Sequence, residues 1–273
     1  MTVHKFSAMT MGVTLLLLIA GGLVTSTDAG LSVPDWPLSY GTLFPPMVGG
    51  IRFEHTHRLI AAVVALMILA LTVWLWRVEP RRWVRWLGTS ALLAVIVQAL
   101  LGGLTVLWGL PPAVSIAHAC LGQLVFCLVA CVMLVTSAKW DALRAASVQA
   151  SGPALRWLAL ATALVLFVQL VLGALLRHAG TMLLAHLGGA LLIVGLVVVT
   201  LRRLMRTPQL PASPRRIALV LAGMVGVQIV LGLVALLHRD QALLTTAHQV
   251  VGAMILAHGG FLVMIIWRVT RTA

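Results

Sequence analysis

Acidic side chains are scarce in this chain: six Asp and Glu among 273 residues, against 19 Lys and Arg. Asp28, Asp35, Glu54, Glu79, Asp141 and Asp240 form no paired-aspartate cluster of the kind that holds a magnesium diphosphate. Cysteine is rarer still. Cys120, Cys127 and Cys131 share one apolar run, and an odd count with none in a loop excludes a disulfide framework. No CxxC pair occurs, and Cys127 and Cys131, four apart on one helix face, read as small packing residues. Tyrosine appears once, as Tyr40. Charged residues make up only 9% of the chain and hydrophobic ones 61%, with a mean hydropathy of +1.08. No soluble domain of this size hides so much apolar surface, so the lipid bilayer is the expected solvent. In a soluble protein the net charge of +13 would suggest nucleic acid. Here it is read as topology, and no nucleic-acid partner is expected.

Apolar windows of about 20 residues suffice to cross a bilayer as helices. Eight are read, at roughly 8–25, 54–76, 87–108, 114–137, 156–176, 181–201, 217–237 and 243–267. The expected fold is an all-α polytopic membrane protein. With a cytoplasmic N-terminus, the inner side holds Lys5, Arg77, Arg81, Arg82, Arg85, Lys139, Arg144, Arg156, Arg202, Arg203, Arg206, Arg215, Arg216, Arg268 and Arg271. The outer side then holds Arg52, Arg58, Arg177 and Arg239, a split of 15 to 4 that places both termini inside. Lys5 and the apolar run after it resemble a cleaved leader. The internal repeat makes that run the first span instead.

The repeat is read from three segments: "VQALLGGL" at Val97, "VQLVLGAL" at Val168 and "VQIVLGLV" at Val227. Each sets Gln four residues before Gly: Gln98/Gly102, Gln169/Gly173 and Gln228/Gly232. Each is followed by a short outer loop and a histidine early in the next span: His118, His186 and His248. The first copy fits loosely, with Gly22 in "AGGLVTS", no Gln, and His57. The unit of helix, loop and His-bearing helix therefore occurs four times. Spans 1–4 and 5–8 form two parallel-repeat four-helix bundles, assigned to residues 1–138 and 139–273. Gly22 to His57 is 35 residues, against 16, 13 and 16 in the other copies. About 20 extra residues, rich in Gly and Pro, thus form an outer loop in the first half alone, and a long loop in a compact protein tends to be a lid.

All four histidines fall at similar depth near the outer face. Paired imidazoles on neighbouring helices of a bundle are the ligands of b-type haem, and four make two bis-His sites. Zinc or copper fits less well, because such sites recruit Cys or clustered carboxylates and three of the four have none nearby. Ala61, Gly122, Gly188, Gly189 and Gly252 are small enough to admit a flat macrocycle. His178 and His238, in short outer loops beside Arg177 and Arg239, are candidates to contact haem propionates. His258 breaks the pattern.

Only the first ligand helix carries an acid near its histidine. In "FEHTHR", Glu54 and His57 are i, i+3 and share a face, and Arg58 is i, i+4 from Glu54. Two readings stand: a Glu–Arg pair at a helix end, or an acid held at the edge of a haem that is chemically altered. The run "GGLVTSTDAGLSVPDWPLSYGTLFPP" followed by "EHTHR" resembles the first outer loop and ExxHR motif of the haem A synthases, and the eight spans with a His in each even one extend the resemblance along the chain. The resemblance implies oxidation of a methyl group of haem O to the formyl group of haem A, in a bacterial plasma membrane, for terminal oxidases. It implies that His57 and His118 hold the substrate haem, that His186 and His248 hold a relaying haem b, and that Glu54 is the essential acid. Haem O synthase and cytochrome oxidase assembly factors become the implied partners. Many bacterial members carry a cysteine pair in this loop. This chain has none there, so no thiol role can operate. A diheme b-type cytochrome moving electrons between quinol and a partner is the alternative that shares every ligand.

Overall fold

The computed structural model describes residues 1–145, 153–238 and 240–270. Arg239 and Arg271, counted above among the topology-setting cations, lie outside the described residues. Among the described residues the protein is helical throughout: α1 (Val3–Ser26), α2 (Ile51–Val78), α3 (Arg82–Leu107), α4 (Pro112–Val135), α5 (Ala138–Ala145), α6 (Pro153–Ala179), α7 (Leu183–Met205), α8 (Ala212–Leu237) and α9 (Ala242–Val269). All but α5 are long and apolar enough to cross a membrane. They are the eight spans read from hydropathy.

The helix ends follow local chemistry. The Thr2 side chain accepts from the Lys5 amide and starts α1 five residues before the expected 8. Pro112 and Pro153 open α4 and α6 at the first helical position, where a missing N–H costs nothing. Gly109 and Leu110 at φ 68° and 60° turn the chain between α3 and α4. Arg177 and His178 complete the last turn of α6 and do not lie in a loop as expected, because the helix runs on to Ala179. The short α5 was not anticipated. Ser137 accepts from the Trp140 amide at 3.2 Å, an N-cap that the polar linker had hidden, and Trp140 and Leu143 are buried.

The described chain divides into two compact units: Met1–Met133 with Leu231–Val250, and Leu134–Val230 with Val251–Ala273. In the first, α1 packs on α2 and α2 on α3. Its core takes one i, i+4 pair from each of three helices: Val64 and Ile68, Ala91 and Val95, Val125 and Val129. Lipid is as apolar as these side chains, so close fit holds the helices together where water exclusion cannot. Gly88 shows the fit. A β-carbon there would stand 2.6 Å from Leu75 Cδ1. Thr72 Oγ1 donates at this contact to the carbonyls of Ile68 and Gly88. In the second unit α6 packs on α7, and Gly259 of α9 leaves room for Leu166 of α6. His258 donates from Nδ1 to the Met254 carbonyl at 2.8 Å, satisfying itself within its own helix.

Candidate functional site

Each of the four histidines of the repeat lies against a glycine of the long helix before it. A β-carbon at Gly21 would stand 2.9 Å from His57 Cε1, and one at Gly102 3.0 Å from His118 Cε1. At Gly173 and Gly232 the distances to His186 and His248 Cε1 would be 3.1 and 2.9 Å. Any larger residue would collide with the ring, so glycine is the condition for seating an imidazole flat on the neighbouring helix. His57, His118 and His248 are each the seventh residue of their helices and His186 the fourth, so all four sit within the first two turns. All four are half-buried.

The register departs from the sequence reading in the first copy. The partner of His57 is Gly21, whereas Gly22 faces Thr246 and Gln249. Tandem glycines made the two choices indistinguishable from spacing. With Gly21 in register, Leu17 occupies the place that Gln98, Gln169 and Gln228 hold in the other copies.

His118 Nδ1 lies 3.1 Å from the Gln98 carbonyl. A carbonyl only accepts, so Nδ1 carries the proton and Nε2 keeps its lone pair. The backbones of Leu17 and Gln169 stand at the same place beside the rings of His57 and His186. Fixing Nδ1 by a hydrogen bond orients an imidazole for a metal at Nε2. His57 and His118 are near enough for their charges to interact. Among the described residues, no group of three or more His, Cys, Asp and Glu gathers as a zinc or copper site would require. Separately seated imidazoles with a free Nε2 fit axial ligation of haem.

The loop of residues 27–50 is clasped to the start of α2. Glu54, 3% exposed, accepts from the Val33 amide at 2.9 Å through Oε2 and from Arg58 Nη2 at 2.6 Å through Oε1. Arg58 also donates to the carbonyls of Asp35 and Leu38, each at 2.7 Å, and of Val33 at 3.2 Å. The helix-end ion pair of the first reading is thus formed, and it fastens the loop as well. Sequence spacing could not show this, because the partners are backbone groups 20 to 25 residues away. His55, directed away from His57 along the helix, is also engaged: its Nδ1 meets Ser39 Oγ at 2.9 Å, and both residues are buried. Trp36 reaches α3, where a β-carbon at Gly103 would stand 2.7 Å from its Cδ2. Its indole therefore rests one residue from the seat of His118.

Within the loop the Asp35 carboxylate accepts from the Tyr40 and Gly41 amides, each at 2.7 Å, and Tyr40 Oη donates to the Ser32 carbonyl. The Gly41 amide, followed by that of Tyr40, holds the Asp35 carboxyl below the usual carboxylate range. A depressed pKa means the tie is fully present above that range and is lost only as pH falls through the lowered value. The loop is therefore expected to stay closed at neutral and mildly acidic pH. Asp35→Ala is expected to speed proteolysis between Leu38 and Met47 several-fold at pH 7, a factor in keeping with about one hydrogen bond lost. Proteolysis at the native rate would show the tie to be idle.

These features define a class: a multi-pass helical membrane protein whose repeated histidines are seated as haem ligands, with a clasped loop over one of them. Residues 51–186 match the profile of the COX15-CtaA family, described as cytochrome oxidase assembly protein, a stretch that carries Glu54, His57, Arg58, His118 and His186. The chain belongs to that family. It is 35% identical over 170 residues to the heme A synthase of Lysinibacillus sphaericus, covering 60% of this chain and 54% of that protein. To the heme A synthase of Bacillus licheniformis it is 31% identical over 130 residues, 47% of this chain and 42% of the relative. To that of Bacillus pumilus it is 36% identical over 115 residues, 41% and 38% of the two chains. The matches thus span about half the length of these relatives or less.

Proposed function

We propose that this protein is a haem A synthase, oxidising a methyl group of haem O to the formyl group of haem A. Family membership and the names of its relatives support the reading. The observation that carries it is local: a buried carboxylate, Glu54, stands one turn before His57 and is held by a loop that occurs in one copy of the repeat alone. A diheme cytochrome needs the ligands but neither the acid nor the clasp.

His57 and His118 are the proposed ligands of the substrate haem, in an N-terminal half of residues 1–138. His186 and His248 are proposed for a b-type haem serving residues 139–273, on the strength of the same glycine seat and helix position. Bound haem supplies the redox chemistry. The chain orients the imidazoles through Nδ1, keeps water out beneath the loop, and places one carboxylate beside the substrate. Arg58 and the Val33 amide fix that carboxylate, so it can take a proton or stabilise developing positive charge without reorganising. Haem O synthase is the proposed supplier of substrate, and cytochrome oxidase assembly factors are the proposed recipients.

Pigment extraction tests the activity. Membranes of cells making haem O are expected to gain formyl-bearing haem A when this chain is co-expressed. Full haem loading with haem O unchanged would favour the electron-transfer cytochrome. The proposed orientation places both termini in the cytoplasm and the haem ligands toward the outer face of the plasma membrane. Reporter fusions after Arg85, Ala145 and Arg206 are expected to read cytoplasmic, and those after Ser39, Pro112 and Asp240 external. A cytoplasmic Ser39 fusion would invert the orientation.

A further inference from the structure

A substrate haem has to arrive and leave, so one of its axial bonds must break readily. A relay haem has no such need. The two histidines proposed for the substrate differ in what surrounds their metal-binding nitrogen, and the difference lies in one residue.

Gln98 holds His118 at both ring nitrogens. Its backbone carbonyl takes the Nδ1 proton at 3.1 Å, and its side-chain amide nitrogen stands 3.4 Å from Nε2. Because Nδ1 is the donor, Nε2 is the acceptor, and the carboxamide N–H points at the lone pair that iron would take. The amide has a place made for it. A β-carbon at Gly122, one turn beyond His118, would stand 3.0 Å from Gln98 Nε2. Gln98 Oε1 is buried and accepts no hydrogen bond, so no other polar contact ties that end of the amide down. The other copies lack this arrangement. At His57 the equivalent residue is Leu17, which has no side-chain donor. At His186, Gln169 turns its amide to the backbone and donates to the His186 carbonyl at 2.8 Å.

We propose that Gln98 makes His118 an exchangeable ligand of the substrate haem, taking the Nε2 lone pair whenever iron does not, while His57 remains the lasting ligand. This rests on the reading of His118 as a haem ligand. The exchange breaks one iron–nitrogen bond and forms one N–H···N hydrogen bond, with no electron or proton gained or lost. A departing His118 finds a partner waiting, so leaving is easier than for an imidazole that would be left bare in an apolar site. Gln98 is in this sense a positioning residue, acting on the haem through His118.

Carbon monoxide binding to the dithionite-reduced, haem-loaded protein tests the proposal, because CO enters only where an axial position opens. Haem transfer to apomyoglobin gives a second readout of release. Gln98→Leu copies the first repeat and is expected to lower both the CO affinity and the rate of haem transfer roughly tenfold, the factor one neutral hydrogen bond carries. Gln98→Asn, too short to reach, is expected to act alike and guards against a folding defect in the leucine variant. Gln169→Leu is expected to leave CO binding unchanged. Wild-type CO affinity and haem transfer in both Gln98 variants would overturn the proposal. So would loss of haem from both, which would make Gln98 a retaining contact. His118→Ala separates the two levels: it is expected to give a five-coordinate, CO-binding haem. An unchanged low-spin spectrum there would overturn the ligand reading itself, and this proposal with it.

Discussion

Glu54→Ala is expected to stop formation of haem A, with a fall of at least about a hundredfold, the lower end of what a positioned acid or base contributes. Haem O or a hydroxylated intermediate should accumulate in its place. The carboxylate has two duties in the structure, and alanine removes both. It accepts from the Val33 amide, and it pairs with Arg58, which reaches three carbonyls of the same loop. Glu54→Gln separates them. A glutamine oxygen still accepts from Val33 N–H, so the loop stays fastened, but no charge remains to serve the reaction. Near-native activity in Glu54→Gln would reduce Glu54 to a clasp. Full activity in Glu54→Ala would sink the catalytic role and favour the electron-transfer cytochrome. Proteolysis of the loop is the companion readout: faster in Glu54→Ala, unchanged in Glu54→Gln.

The glycine seats carry the second large effect. Gly102→Val is expected to expel the substrate haem, because the added carbons fall where the His118 ring lies. Overpacking of a fitted site costs about 1–3 kcal/mol even where the surroundings yield. Here the ring cannot yield without losing its Nδ1 bond to the Gln98 carbonyl. Gly232→Val is expected to do the same to the haem held by His248. Gly12→Val is the control, since nothing lies within 4 Å of a β-carbon at that helical glycine. Haem content and the low-spin spectrum of purified protein decide the matter. A full complement in Gly102→Val would remove the seat from the argument.

The spans were legible because a bilayer leaves a chain few choices: a run of about 20 apolar residues must satisfy its backbone as a helix. The ligand histidines were legible because the repeat put four of them at one place, which a lone membrane histidine never does. The register of the first copy was not. "GG" at 21–22 offers two partners for His57, and only packing shows that Gly22 belongs to Thr246 and Gln249. The clasp was half legible. Glu54 and Arg58 share a helix face by spacing, but the groups they hold are main-chain amides and carbonyls of Val33, Asp35 and Leu38, and no side-chain pattern announces a backbone partner. Ser39 with His55 was missed for the same reason, a contact across 16 residues of irregular chain.

Gly102 and Gly103 are neighbours on α3, and each receives a different flat ring, His118 on one and Trp36 on the other. Successive helix positions point about 100° apart, so the two rings meet the same turn on different sides. Filling Gly103 would dislodge the indole and leave the imidazole in its seat, and filling Gly102 would do the reverse. Admission of substrate and grip on its iron can therefore be altered independently by point changes one residue apart. A lineage in this family can retune how its loop opens without disturbing the metal ligand beneath.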